Sequence, residues 1–241
     1  MILGTLYGIG VGPGDPELIT VKGAKLLSRC GHVFVPKART AADSVALAIA
    51  REYLRPEAKV YELVFPMTAD KDELSARWSD SAAQVAEVLK TGEDACFLTL
   101  GDPLLYSTYI YLLRHLREQA PEAKTVTIPG ITAFSAAAAI TEFPVGEGKE
   151  PVTIIPTADD LTDVRRAIER GGTIVLMKIG KRLSDILAVM EETGVIERSV
   201  FVSHVGMPEQ RVETDLRTLK NDNPEVGYLS IILIHAEVAK Q

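Results

Sequence analysis

The sequence predicts an α/β protein made of two α/β domains, residues 1–145 and 146–241. Three observations predict this. Apolar, β-rich runs alternate with helical patterns along the chain, as layered folds with a mostly parallel sheet require. Glycine-rich turns stand where strands should pass into helices. The alternation breaks at Thr141–Pro151 (TEFPVGEGKEP), where two glycines, two prolines and four charged residues mark the domain boundary.

The elements follow in order. The first domain has the strands GTLYGIGV, HVFVP, KVYELVF, DACFLTL and TVTIP. Its helices are expected at Glu17–Ser28, Ser44–Leu54, Lys71–Leu89 and Thr108–Gln119. In the third, Leu74, Trp78, Ala82, Val85 and Leu89 recur at spacings of three and four and form one apolar stripe. Thr132 is placed to cap the small-residue helix AFSAAAAI. The second domain reads VTIIP, a helix over Leu161–Glu169, TIVLMKI, a helix over Leu183–Glu192, SVFVSHV, a polar strand or hairpin in PEQRVET, and YLSIILIHA. Its consecutive strands predict a smaller sheet of mixed direction.

Composition excludes several classes. The chain has 241 residues, 46% apolar and 24% charged, as a soluble globular protein does. Lys plus Arg is 26 against 33 Asp plus Glu, a net charge of −7, which argues against nucleic-acid binding and leaves an anionic small molecule open. Cys30 and Cys96 lack metal-ligand spacing and read as buried reduced thiols. No apolar stretch approaches a membrane span and no leader pattern opens the chain, so the expected home is the cytoplasm.

The stretch YGIGVGPGDPELIT (Tyr7–Thr20) resembles a nucleotide loop and fails its spacing. From Gly8 and Gly10 the third glycine slot of a dinucleotide fingerprint is Pro13; from Gly10 and Gly12 it is Asp15. No Gly-Lys pair makes a phosphate loop here, and Asp15 and Glu17 already occupy the helix entrance, where Asp15 can act as the cap. Two further turns, LGDPLLYST (Leu100–Thr108 with its preceding strand) and PGITAFSAA, also follow strands and precede helices. Each alone reads as a turn with a cap. Together they place three loops at the carboxyl ends of parallel strands, where open α/β sheets bind ligands.

These motifs, with VLMKIGK, SHVGMPEQRV and GYLSIILI in the second half, resemble the tetrapyrrole methyltransferases, the class III S-adenosylmethionine (SAM) enzymes. Tyr-Ser-Thr after Gly-Asp-Pro, Met-Lys, Pro-Glu-Gln-Arg and the closing Tyr-x-Ser are similar to the branch that methylates carbon 20 of precorrin-2 or of cobalt-factor II in cobalamin biosynthesis. Leu229 departs from the aromatic pair expected before the serine. The resemblance implies SAM in a cleft between two α/β domains, S-adenosylhomocysteine as its product, a homodimer, and a tetrapyrrole substrate. Carried over by motif, the cofactor contacts are Pro13, Leu100, Gly101, Asp102, Leu105, Tyr106, Ser107, Thr132, Ala133, Met177, Lys178, Gly206 and Ser230. The carboxylate-fringed macrocycle calls for cations: Arg211 first, since guanidinium grips carboxylate bidentately, with Lys37 and Lys181. Lys22, Arg39 and Arg182 are weaker candidates, with a solvated surface charge the simpler reading for Lys22 and Arg182. No metal ligand set is expected, and no general base is assigned; His204 and Glu209 flank the second-domain loop. Other acceptors for the same fold are a different ring carbon, RNA or protein, and a SAM- or tetrapyrrole-binding protein without turnover is the alternative from another class.

Overall fold

A computed structural model of the chain describes residues 3–38, 44–65, 70–156, 160–222, 227 and 229–237. The chain divides into two compact units, Met1–Thr132 and Ala133–Gln241.

In the first unit β1 (Thr5–Gly10), β2 (His32–Ala38), β3 (Lys59–Phe65), β4 (Ala95–Thr99) and β5 (Lys124–Ile128) form one parallel sheet in the order β3-β2-β4-β1-β5. Among the described residues four α-helices accompany it: α1 (Val21–Leu27), α2 (Val45–Ala50), α3 (Lys71–Lys90) and α4 (Tyr109–Gln119). All five residues of β4 (ACFLT) are buried, as a central parallel strand covered on both faces must be. Alternate strand residues feed two cores. Leu6, Phe34 and Phe97 pack with Val85 and Leu89 of α3 and Leu112 and Leu116 of α4. Ile9, Val33 and Leu98 pack with Leu27 of α1 and Leu47 of α2. The neighbours β1 and β4 therefore send their connections to opposite faces. Such a pair leaves a crevice outside its carboxyl ends.

Helix starts follow from capping. Asp70 accepts from the amides of Asp72 (2.9 Å) and Glu73 (3.2 Å) and fixes the start of α3. The helix expected from Glu17 begins instead at Val21. Asp15 accepts from the Glu17 amide at 2.9 Å and caps only a 3-10 turn over Pro16–Leu18. Ile19 and Thr20 are then extended, and the Thr20 hydroxyl, accepting from the Gly23 amide at 3.1 Å, caps α1. The helix expected over Ser44–Leu54 is α2 followed by a 3-10 turn at Arg51–Tyr53. The α3 stripe buries Ala82, Val85 and Leu89, while the half-buried Trp78 stacks on Tyr111 of α4 at 4.1 Å. Cys30 and Cys96 are buried free thiols, and Cys30 donates to the carbonyls of His32 (3.2 Å) and Asp94 (3.3 Å).

In the second unit α5 (Ala133–Thr141) is followed by β6 (Val152–Pro156), α6 (Thr162–Arg170), β7 (Gly172–Met177), α7 (Leu183–Glu192), β8 (Ser199–Ser203), β9 (Arg211–Glu213) and β10 (Ser230–Ala236). The sheet order is β6-β7-β10-β8-β9, parallel between β6 and β7 and antiparallel elsewhere. Ile174, Leu176, Phe201 and Ile232 bury against Ile168 of α6 and Ile186 and Met190 of α7. The unit begins before the composition break at Thr141–Pro151 because the alanine-rich α5 packs on β10. Small side chains bring a helix close to a sheet, which joins α5 to the second unit rather than the first. Because β10 runs against β7 and β8, its first residues lie beside their last: Ile231 pairs with Met177 and Ser230 with Ser203.

Candidate active site

The three glycine-bearing loops of the first unit interlock through backbone. Beyond β1, Gly12 and Gly101 form an antiparallel bridge: the Gly101 amide donates to the Gly12 carbonyl at 2.7 Å, and the Gly12 amide returns to the Gly101 carbonyl at 3.4 Å. Both glycines have positive φ, +81° and +70°. A Cβ on Gly10 would lie 2.6 Å from both the Gly101 carbonyl oxygen and the Gly130 Cα. A Cβ on Gly130 would lie 2.1 Å from that same oxygen. The glycines of YGIGVGPG thus have separate causes. Gly8 makes room for the ring of Tyr109, whose Cζ would sit 2.2 Å from an added Cβ. Gly10 admits the other two loops, and Gly12 supplies a left-handed turn.

Asp102 ties two of these loops together. Its Oδ1 accepts from the Leu104 amide at 2.8 Å and its Oδ2 from the Gly130 amide at 3.1 Å. Each carboxylate oxygen keeps a second acceptor position, so the group can still meet a hydroxyl or an ammonium. Gly101 offers a ligand chiefly the absence of a side chain, since its own amide and carbonyl pair with Gly12. Pro13 is buried beside that bridge, Leu105 is half-buried, and Tyr106 is 41% exposed at φ +51°. A non-glycine residue held left-handed stores strain and is commonest at ligand sites. Ser107 faces inward: its hydroxyl lies 3.3 Å from that of Thr99 and accepts from the Tyr109 amide at 3.0 Å, holding the first turn of α4. The buried Tyr109 hydroxyl meets Thr127 at 3.2 Å, and burial raises its pKa. Leu100 and Thr132 are half-buried on the same loops.

The second unit gathers its own expected residues at one sheet edge. Met177 ends β7, Lys178 follows it exposed at φ +56°, and Gly180 has φ +53°. His204 follows β8 at φ +50°, Gly206 has φ +75°, and Leu229 before β10 has φ +47°. The buried Ser230 donates to the Gly227 carbonyl at 2.6 Å, and a Cβ on Gly227 would meet the Gly180 carbonyl at 1.9 Å. Ala133 opens α5 in this unit. Glu209 is exposed on the loop between β8 and β9. Among the described residues no group of three or more His, Cys, Asp and Glu could hold a metal ion.

The cations expected to grip carboxylates fare differently. Arg211 is paired within the chain: Nε binds Glu213 at 2.8 Å and a terminal nitrogen lies 2.8 Å from Asp222. These carboxylates, Glu213 foremost, raise its pKa. These pairs fasten the start of β9 to the end of the 3-10 segment Leu216–Asn221. Lys37 pairs with Glu62 of β3 at 2.8 Å, and Arg182 with Asp185 at 3.1 Å. Lys181 is exposed and makes no ion pair among the described residues, Lys22 is exposed, and Arg39 lies outside the described residues. Arg211→Ala is expected to lower the stability of the chain by about 1–2 kcal/mol, the loss for charged hydrogen bonds at a half-buried site. Urea unfolding followed by circular dichroism measures it, and a wild-type midpoint would show the network to be idle.

Two features went unread in the sequence. Gln210 closes its loop by accepting from the Gly206 amide at 2.8 Å; a glycine four residues before an amide side chain is the only local signal. His32 has partners, Tyr61 at 2.9 Å from Nδ1 and Glu93 at 2.9 Å from Nε2, at the opposite end of the first sheet from the loops. The His32 bond holds the Glu93 carboxyl below the usual range.

The family model of Tetrapyrrole (Corrin/Porphyrin) Methylases matches residues 5–220. The chain is 32% identical over 234 residues to the cobalt-precorrin-2 C(20)-methyltransferase of Salmonella typhimurium, covering 97% of each chain. It is 30% identical over 240 residues to a precorrin-2 C(20)-methyltransferase of Sinorhizobium sp, covering 96% of this chain and 95% of that one. Among solved structures, a uroporphyrin-III C-methyl transferase from Thermus thermophilus, complexed with S-adenosylhomocysteine, superposes with a TM-score of 0.62 at 20% identity. The match covers 96% of this chain and 97% of that one.

Proposed function

The chain belongs to the tetrapyrrole (corrin/porphyrin) methylases, and from that premise we propose that it moves a methyl group from SAM to carbon 20 of precorrin-2 or its cobalt-loaded counterpart. The observation that carries the reading is the interlock of Gly10, Gly101 and Gly130 at the carboxyl ends of β1, β4 and β5. It brings three loop backbones into contact with no side chain between them. The same segments lie within residues 5–220, which the family model matches.

SAM would be held by these loops and would supply a methyl group on a sulfonium; the thioether would leave as S-adenosylhomocysteine and the methylated ring would give up a proton, which requires neither a metal nor a covalent enzyme intermediate. The chain's own residues hold and align. Pro13, Leu100, Gly101, Leu105 and Thr132 shape the bed, and Asp102 accepts from ribose hydroxyls or the ammonium. Tyr106 can face the sulfonium with its ring, an attraction of about 0.5–2 kcal/mol. Orientation of donor and acceptor can supply roughly 7–11 kcal/mol of the barrier. Ser107, whose hydroxyl is spent on the α4 cap, contributes through the loop it anchors. Ala133, Met177, Lys178, Gly206 and Ser230 complete the proposed cofactor contacts. Arg211, Lys37 and Lys181 are the cations proposed to meet macrocycle carboxylates; Arg211 and Lys37 also pair within the chain. A homodimer and a cytoplasmic home belong to the same proposal; no helix among the described residues is long and apolar enough to cross a membrane.

The test is methyl transfer from labelled SAM to metal-free precorrin-2, to cobalt-factor II and to RNA in parallel. Label on a tetrapyrrole at carbon 20 is the expected result, and the preferred acceptor identifies the substrate. Label on RNA alone would overturn the reading. Binding of SAM without turnover on any acceptor would favour a carrier.

A further inference from the structure

We infer that Cys30 and Cys96 are an oxidisable pair, which a peroxide closes into a disulfide that staples the first unit. This goes beyond the methyltransferase reading and does not depend on it. Cys30 stands in the turn between α1 and β2, and Cys96 lies in the central strand β4. Both belong to one buried core, with Leu27 and Val33. The parallel register brings them together. His32 pairs with Ala95 and Val33 with Cys96, so the end of the α1–β2 turn lies beside the start of β4. The Cys30 thiol donates to the carbonyls of His32 (3.2 Å) and Asp94 (3.3 Å), and it is hydrogen-bonded to the Cys96 thiol. Neighbouring bonds hold this meeting point. His32 Nε2 is bonded to Glu93 at 2.9 Å, and the Thr5 amide donates to Asp94 Oδ1 at 2.7 Å. The turn before β4 is thereby tied to β1 and β2, and both sulfurs are held in one place.

The two thiols differ. Cys30 is 5% exposed and Cys96 0%. The hydrogen bond from the Cys96 thiol, helped by the amides of His32 and Cys96, lowers the pKa of Cys30 against the effect of burial. The same thiol pair and burial push Cys96 up. The thiolate is the nucleophile, so Cys30 attacks first. Its sulfur takes one oxygen of hydrogen peroxide, the O–O bond breaks, and water leaves a sulfenic acid. The Cys96 sulfur then attacks that sulfur. The S–S bond forms, the S–O bond breaks, and a second water carries off the Cys96 proton. Two thiols and one peroxide thus give one disulfide and two waters, and a dithiol reductant reverses the change. The bond closes residues 30–96 into a ring containing β2, α2, β3 and α3. A cross-link across so long a stretch restricts the unfolded chain strongly.

The experiment treats the folded, full chain with hydrogen peroxide and maps its cysteines by peptide mass spectrometry. A linked Cys30–Cys96 peptide is expected, lost again on adding dithiothreitol. The urea midpoint of the linked chain, followed by Trp78 emission, should lie above that of the reduced chain. Trapping of sulfenic acid with dimedone reads the order of attack. Cys96→Ala should carry the label on Cys30, and Cys30→Ser should carry none on Cys96. Thiols that stay unreacted, linkage only between chains, or linkage only after urea has unfolded the chain overturns the pair. An unchanged or lowered midpoint in the linked chain overturns the staple. Label on Cys96 in Cys30→Ser overturns Cys30 as the attacking sulfur.

Discussion

Gly10→Ala is expected to destroy the site and to destabilise the first unit by about 3 kcal/mol or more, at the upper end of overpacking penalties. The added Cβ would meet only backbone: the Gly101 carbonyl oxygen at 2.6 Å and Gly130 at 2.6 Å. No flexible side chain can swing aside. Relief requires moving one of three loops, each joined to the others. The Gly101 carbonyl is bonded to Gly12, and the Gly130 amide to Asp102. S-adenosylhomocysteine binding should fall by a hundredfold or more, about 2.7 kcal/mol. Gly146→Ala is the matched control, because its Cβ would lie 3.6 Å from a Val152 methyl, an ordinary contact. If Gly10→Ala kept both wild-type stability and wild-type affinity, the interlock would not exist as described.

Asp102→Ala is expected to weaken S-adenosylhomocysteine binding by tenfold or more. The carboxylate makes two bonds of a charged acceptor to backbone amides, each worth about 1.5–3 kcal/mol. Removing it leaves the Leu104 and Gly130 amides without their acceptor and loosens two loops at once. Asp102→Asn separates the parts. Its carbonyl oxygen can serve Leu104, but its NH2 group faces the Gly130 amide, donor to donor. The Asn variant should therefore lose affinity while keeping most of the α4 entrance. Equal affinity in wild type and Asp102→Ala would remove Asp102 from the site.

What the sequence made legible was local and punctuated. The largely apolar DACFLTL reads as a strand, and its Ala95–Thr99 became β4. Glycine and proline after three strands marked the three loops, and their convergence followed from a parallel sheet. The Tyr7–Thr20 stretch was legible as a non-phosphate turn from spacing alone. Its helix start was not, because Asp15 and Thr20 are both good caps and only the extended backbone at Ile19 and Thr20 decides between them. The ion pairs of Arg211 were not legible for a different reason. Its partner Asp222 stands eleven residues on, across a 3-10 segment that no periodicity announces. The alanines of α5 signalled close packing without saying on what, so the change of unit came at Ala133 and not at the composition break.

The chain contains a single tryptophan, and it lies in the first unit, stacked on Tyr111 between α3 and α4. Indole emission therefore watches one half of the protein, while backbone ellipticity sums both. The same unfolding experiment read by the two signals becomes a measure of coupling. Coincident curves mean that the loop-bearing half and the half carrying Gln210 and Arg211 melt as one cooperative body. Separated curves give each its own stability, and let the effect of Gly10→Ala be assigned to the half in which the crowded atoms reside.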